Sequence, residues 1–196
     1  MFGAFPEKRP RGLRRRSLGA GTTLWRIDPA APADWLWTGF PGPRFRFDPA
    51  SGRFRTRYAA QSIHGAARER YLATGRYIPA DHARHHLVRL TATRALRVVD
   101  LRTEANLDAL QVDDRISTSR DPDVWDACHR LADSVRGWWA DLDGIAYRSR
   151  TTPETSANVA FFSLEGMTAW SRVLADCDDE LDDVVLNHEF TVGFAY

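Results

Sequence analysis

An α+β fold, with short strands in mixed or antiparallel sheets and about three helices, is what this sequence predicts, and three observations carry the prediction. One is a clear amphipathic helix over 124–140, where Val124, Cys128, Leu131, Val135 and Trp138 step by four and three along a single stripe. Another is a set of short runs that alternate apolar and polar residues, or are apolar throughout, as strands do. The third is size: 196 residues with 43% hydrophobic content suit one domain with a real core, and no internal repeat is visible.

Taken in order, residues 1–21 (MFGAFPEKRPRGLRRRSLGAG) read as a flexible Arg-rich tail ahead of a single domain over 22–196. An arm for nucleic acid or an acidic partner is the sharper alternative for that tail. The run 23–27 reads as a strand ending at Asp28-Pro29. Trp35 and Trp37 follow at period two, then a turn-rich loop over 39–43. Phe45 and Phe47 alternate with Arg44 and Arg46, which predicts an extended edge with aromatics inward and arginines outward. A turn signal at 48–52 precedes a second alternating run over 53–58, which closes on Tyr58. Ser62 is a suitable N-cap for a short helix holding Ile63, Ala66, Ala67 and Leu72, and Gly75 is its natural stop.

Farther on, the 77–86 segment carries His82, His85 and His86 at spacings that match no closed metal site, so a loop or helix end is expected there and no metal. Strands are expected over 87–90 and 95–101, the second nearly all apolar and hence central, with a short helix over 103–110. Asp121-Pro122 marks the start of the long helix. Two further strands, 144–149 and 158–164, are joined by a polar Thr/Pro/Glu/Ser loop. The remainder holds an acidic patch over 176–183 and a strand-like segment over 184–192.

Composition narrows the function classes. Net charge is +1, so no global field points to nucleic acid and direct binding to it is not expected. The cations are 26 Arg and the single Lys8, and a planar guanidinium suits bidentate contact with phosphate or carboxylate. Cys128 and Cys177 form no disulfide or zinc pattern, so a reducing, cytoplasmic setting is expected. No run of 18 apolar residues predicts a membrane span, and the basic N-terminus lacks the apolar segment of a secretory signal.

Chemistry gathers around Arg57–Tyr71 (RYAAQSIHGAARERY). Glu69 sits on the short helix between Arg68 and Arg70, and read alone it is a solvated helix carboxylate. Its setting says more. Leu24-Trp25-Arg26-Ile27, then Gly42-Pro-Arg-Phe-Arg-Phe-Asp-Pro49, Tyr58-Ala-Ala, the Glu69 helix and Asp143-Gly-Ile-Ala-Tyr-Arg-Ser-Arg150 follow one another in an order that resembles the RES-domain family over 22–165. The resemblance implies an ADP-ribosyltransferase-like fold and a bacterial, cytoplasmic toxin of a toxin–antitoxin pair. It also implies NAD as the substrate consumed, an Xre-type antitoxin as partner and, in some arrangements, a homo-oligomer.

Carried over by position, Glu69 and Ser149 are the implied catalytic residues, and Arg26, Arg46 and Tyr58 the implied NAD-binding residues. Cleaving the nicotinamide–ribose bond develops positive charge on the ribose, which an anion at Glu69 would stabilise. Arg26 and Arg46 would clamp the diphosphate. Tyr58 would stack on nicotinamide or bond the ribose, and Ser149 would bond the ribose or orient Glu69. The chain departs from the family pattern at Ile27, at Asp48, which would set a negative charge near a diphosphate, and at Asp126, where some relatives place a Ser. Water, phosphate or a protein side chain all remain open as acceptor, which makes the chain a glycohydrolase, a phosphorylase or a protein-targeted ADP-ribosyltransferase. A catalytically inactive binding module with the same fold is the alternative from another class.

Overall fold

The computed structural model describes residues 2–38, 40–151 and 157–196. In chain order these form β1 (Arg15–Leu18), β2 (Thr23–Asp28), β3 (Arg57–Ala60), α1 (Ile63–Tyr71), β4 (Tyr77–Ile78), β5 (His86–Ala92), β6 (Leu96–Asp100), α2 (Glu104–Leu110), α3 (Arg115–Thr118), α4 (Pro122–Trp138), β7 (Gly144–Arg148), β8 (Ala157–Phe161), β9 (Met167–Val173), α5 (Asp178–His188) and β10 (Thr191–Val192). Eight strands make one sheet in the order β1-β6-β7-β8-β3-β2-β5-β9, antiparallel except for the β6–β7 pair. A parallel pair needs a crossover, and α2, α3 and α4 lie within it. β4 and β10 form a separate parallel pair. The fold is α+β with a mixed sheet, and three of its described helices (α1, α4 and α5) have 9, 17 and 11 residues.

Alternation along the strands divides the core. On one face, Ile145, Tyr147 and Ala160 pack with the α4 stripe of Val124, Cys128, Leu131 and Val135. Ile27, Ala60 and Leu87 pack with Ala66, Ala67 and Tyr71 of α1 and Leu181 and Val184 of α5. The opposite face (Leu24, Ala59, Val88, Val98, Ala146, Val159) is covered by Trp35, which meets Trp37 edge-on. The helical face therefore carries two helix groups, and the middle of the sheet lies at the seam between them.

Several sequence expectations are corrected. Phe45 and Phe47 do not lie on a strand: the Asp48 carboxylate accepts the Arg44 and Phe45 backbone N–H groups, both at 2.9 Å, and folds the run into a turn. Period two does not separate a strand from such a turn, and the facing reverses for one of each pair: Arg46 is buried and Phe45 is 51% exposed. Of the 53–58 run only Arg57 and Tyr58 join a ladder, because β3 finds partners in β8 and β2 only from Arg57 onward. The strand-like 184–192 segment is mostly helix. Asp178, Asp179 and Glu180 occupy the first turn of α5, where the helix dipole favours acids, while Leu181 and Val184 are buried. β9 was not legible because it is an edge strand, paired with β5 alone and half exposed. Residues 15–18, expected within the flexible tail, pair with β6 as β1, and Leu13 is buried. Gly39 of the expected turn and residues 152–156 of the expected polar loop lie outside the described residues.

The Asp143-Gly144 pair explains itself structurally. Arg94 grips the Asp143 carboxylate through both Nη atoms (2.7 and 3.0 Å), and the Arg97 N–H donates to it at 2.6 Å. At Gly144 a Cβ would stand 2.4 Å from the Ala160 carbonyl oxygen. Gly144→Ala is expected to force β7 from β8 and destabilise the protein by about 1–3 kcal/mol, the range for overpacking. Thermal and urea unfolding check it; unchanged stability would mean the strands part freely.

Candidate active site

The seam opens as a cleft of about 290 Å³, lined by Trp25, Arg26 and Ile27 of β2, Tyr58 to Ala60 of β3, Ala66, Glu69 and Arg70 of α1, Tyr147 of β7, Asn158 of β8, and Phe45, Arg46, Ser117, Trp125 and Arg150. Among the described residues, four guanidinium groups and one carboxylate line it.

Ser62 fixes where α1 begins. Its extended backbone and its Oγ, accepting the Gly65 N–H at 2.9 Å, start the helix at Ile63 and so set Glu69 in the second turn. Buried Gly65, Ala66 and Ala67 present little side chain to the sheet, which lets the helix pack close. Glu69 Oε1 accepts hydrogen bonds from Ser149 Oγ (2.7 Å) and Thr151 Oγ1 (2.6 Å), both buried residues just past β7. Arg68 Nε donates to the Thr151 carbonyl and pins the same segment. Ser149 thus reaches Glu69, one of the two roles open to it in the sequence.

Arg26 is held from two sides. Its Nε donates to Asp28 Oδ2 at 2.5 Å and its Nη1 to the Tyr58 carbonyl at 2.9 Å. Asp28 is buried and also accepts from Arg57 Nη1 at 3.1 Å, and both guanidiniums lie against the Trp35 ring. Burial pushes the Asp28 carboxyl up, but Arg26, the Ala30 N–H and Arg57 outweigh it and hold the group below its ordinary value of 3.8. Sequence reasoning missed Asp28, although its place two residues after Arg26 on a strand puts both side chains on one face.

Arg46 and Tyr58 reach the cleft with their polar ends occupied. Arg46 donates to the Ile116 carbonyl (3.2 Å) and the Ser119 carbonyl (2.5 Å) and lies over Trp125, so it braces α3 against the start of α4. The Tyr58 hydroxyl accepts the Phe47 N–H at 2.7 Å and lies 3.1 Å from the Thr56 hydroxyl. Burial, then the charge of Asp48, pushes this phenol well above its ordinary value. The Tyr58 ring packs edge-on to Phe45 and Tyr147, and the residue lines the cleft. Asp48 itself is fully buried, bonded to Thr56 and to the turn it folds, and does not line the cleft. Asp126 lies exposed on α4, away from the cleft.

Arg70, Arg150, Tyr147 and Asn158 complete the lining without having been singled out. Arg150 makes no ion pair among the described residues. Partial burial, then the nearby charges of Arg46 and Arg120, lower its proton affinity, as expected for cations crowded without matched acids. It closes the motif Asp143–Arg150, which was the one signal that could have found it.

This fold and site define a mixed-sheet α+β protein with a concave, cation-lined cleft and an oriented carboxylate, Glu69. The RES domain family model matches residues 23–182, and the chain belongs to that family. Among solved structures the chain is similar to a chain of the Mycobacterium tuberculosis MbcT–MbcA toxin–antitoxin complex, with 16% identity, a TM-score of 0.53, and coverage of 83% of this chain and 90% of that one. At that identity the likeness concerns the fold. Comparison with curated proteins returned no match.

Asp28→Ala would leave two guanidiniums beside an emptied, buried site and is expected to cost about 3–5 kcal/mol at neutral pH. Because folding lowers the Asp28 pKa, its contribution is complete above the unfolded value of 3.8 and is lost as pH falls through the lower folded value. Urea unfolding from pH 7 to pH 2 should show this acid loss in wild type and a shallower one in Asp28→Asn. Parallel curves would rule out the pairing as a stability determinant.

Proposed function

We propose that this protein is a RES-type toxin that cleaves NAD at the nicotinamide–ribose bond and is neutralised by a cognate antitoxin in the cytoplasm. The observation that carries this reading is Glu69, fixed by two hydroxyl donors and facing a cleft whose other charged lining groups, among the described residues, are guanidiniums. Nicotinamide leaves with the bonding electron pair as a neutral base. The ribose centre left behind is electron-poor, and a carboxylate held beside it stabilises that charge without having to reorganise. Ser149 and Thr151 act as positioning residues for the carboxylate.

Arg150, which makes no ion pair among the described residues, and Arg26, whose Nη2 is not used by its bonds to Asp28 and Tyr58, are the cations proposed to hold the diphosphate, while both Arg46 Nη atoms already serve carbonyls. The Tyr58 and Tyr147 rings supply an apolar wall for the departing base. The cleft lies at the small end of ligand pockets, roughly 300–1,000 Å³, so it would enclose the nicotinamide–ribose half while the adenylate end extends outward along the arginines. The acceptor that completes the reaction is water, phosphate or a protein side chain; each adds to the ribose carbon and gives up a proton. A toxin–antitoxin complex with the same fold supports an antitoxin as partner, and the Xre type is carried from the family resemblance. No described helix is long and apolar enough to cross a membrane.

Nicotinamide released from NAD by purified protein, followed by chromatography, tests the reading. Glu69→Gln keeps the shape and the two hydroxyl contacts but removes the charge. Release is expected to fall by about 10²–10³-fold or more, with a melting temperature within about 4 °C of wild type. No release from folded wild type, with phosphate and protein acceptors supplied, would sink it.

A further inference from the structure

β8 is apolar along Ala157-Asn-Val-Ala-Phe161 except at Asn158, and every one of its residues is buried. Asn158 is 1% exposed, and among the described residues neither its Nδ2 nor its Oδ1 has a well-formed hydrogen-bond partner. A buried primary carboxamide with both ends unmatched costs about 1–3 kcal/mol per group, so an aliphatic residue of similar volume would suit this strand better. Asn158 also lines the cleft. In the β7–β8 register it stands opposite Tyr147, which puts both side chains on the helical face of the sheet. Burial, then the charge of Glu69, raises the proton affinity of the Tyr147 phenol, and a hydrogen-bonding interaction with the Asn158 side chain lowers it, although neither amide atom reaches the phenol in a well-formed bond. Asn158, Tyr147 and Glu69 therefore share one end of the cleft.

A carboxamide offers one acceptor and two donors on a single plane. Its best complement is a second carboxamide, which returns a donor for the acceptor and an acceptor for a donor. Resting on the NAD reading above, we infer that Asn158 is the specificity residue of this cleft and recognises the carboxamide of the nicotinamide ring, setting the base beside the Tyr147 wall with its glycosidic bond toward Glu69. The unpartnered amide is then a matched group in the complex and an unmatched one in the free protein. Stability is given up for recognition at one position of an otherwise apolar strand.

Binding is measured by calorimetry in the Glu69→Gln background, where turnover does not interfere, using NAD and its 3-acetylpyridine analogue, in which a methyl replaces the amide NH₂. NAD is expected to bind about tenfold or more tightly than the analogue, the scale of one lost buried hydrogen bond. Adding Asn158→Leu should abolish that preference while leaving the melting temperature equal to or above that of the parent. Adding Tyr147→Phe instead should keep it, which separates direct recognition from support of the phenol. If the Asn158→Leu protein keeps the preference, or the parent shows none, the assignment is overturned. Wild-type NAD cleavage measured alongside separates the two readings. Cleavage without discrimination sinks only the role of Asn158, discrimination without cleavage sinks only the cleavage reading, and failure of both to bind dinucleotide sinks the two together.

Discussion

The hydrogen bonds that Ser149 and Thr151 give to Glu69 join the two helix groups of this molecule. One partner sits on α1, whose packing belongs with α5, and the others sit just beyond β7, whose packing belongs with α4. There a charged side chain bridges the seam and stays exposed at the cleft. The small residues of α1, the Ser62 cap and the Arg68 contact to Thr151 all serve to bring that carboxylate to those hydroxyls. A ligand site at a seam is available because neither core has to be opened to build it.

A net charge of +1 hides a strongly cationic site. Four aspartates are withdrawn into the frame. Asp28 is bound by Arg26 and Arg57, Asp100 by Arg102 and Arg16, Asp143 by Arg94, and Asp48 by backbone N–H groups and Thr56. Each of these carboxylates is buried, where a charge persists only if it is paired. Arginines facing the cleft are left with fewer acids than cations, and the local field there follows from pairing elsewhere. The choice of Arg over Lys fits both tasks, since a rigid fork can satisfy a buried carboxylate on one side and hold a ligand oxygen on the other.

Much of the frame was legible. The α4 stripe, the Ser62 cap and the Gly75 stop rest on local rules of period and backbone conformation, and the structure has Gly75 left-handed at the end of the turn that follows α1. The alternation of Arg44 to Phe47 misled because the bond that decides it, from Asp48 back to two N–H groups, is not visible in a hydrophobic pattern. α5 misled because Val184 and Val185 favour strands as residues, while the acids ahead of them stabilise a helix start. Glu69, Ser149, Arg26 and Tyr58 were marked by motif order and do converge, and Arg150 stood at the end of a marked motif without a role, but Asp28 and Asn158 carried no mark, since an acid and an amide are ordinary until their neighbours are known.

The sequence by itself determined the class of fold, the helix that bears Glu69, and the set of polar residues able to form a site. Tertiary structure decided which of them face the cleft and what each is free to do: Tyr58 keeps its ring but not its hydroxyl, Arg46 becomes a brace, and Asp48 turns inward to fold a loop. The physical reason is range. Caps, turns and periodicity act over a few residues and are written in local order. The pairing of a buried charge or amide depends on groups that the chain brings together from 80 residues away, as it does for Glu69 and Ser149.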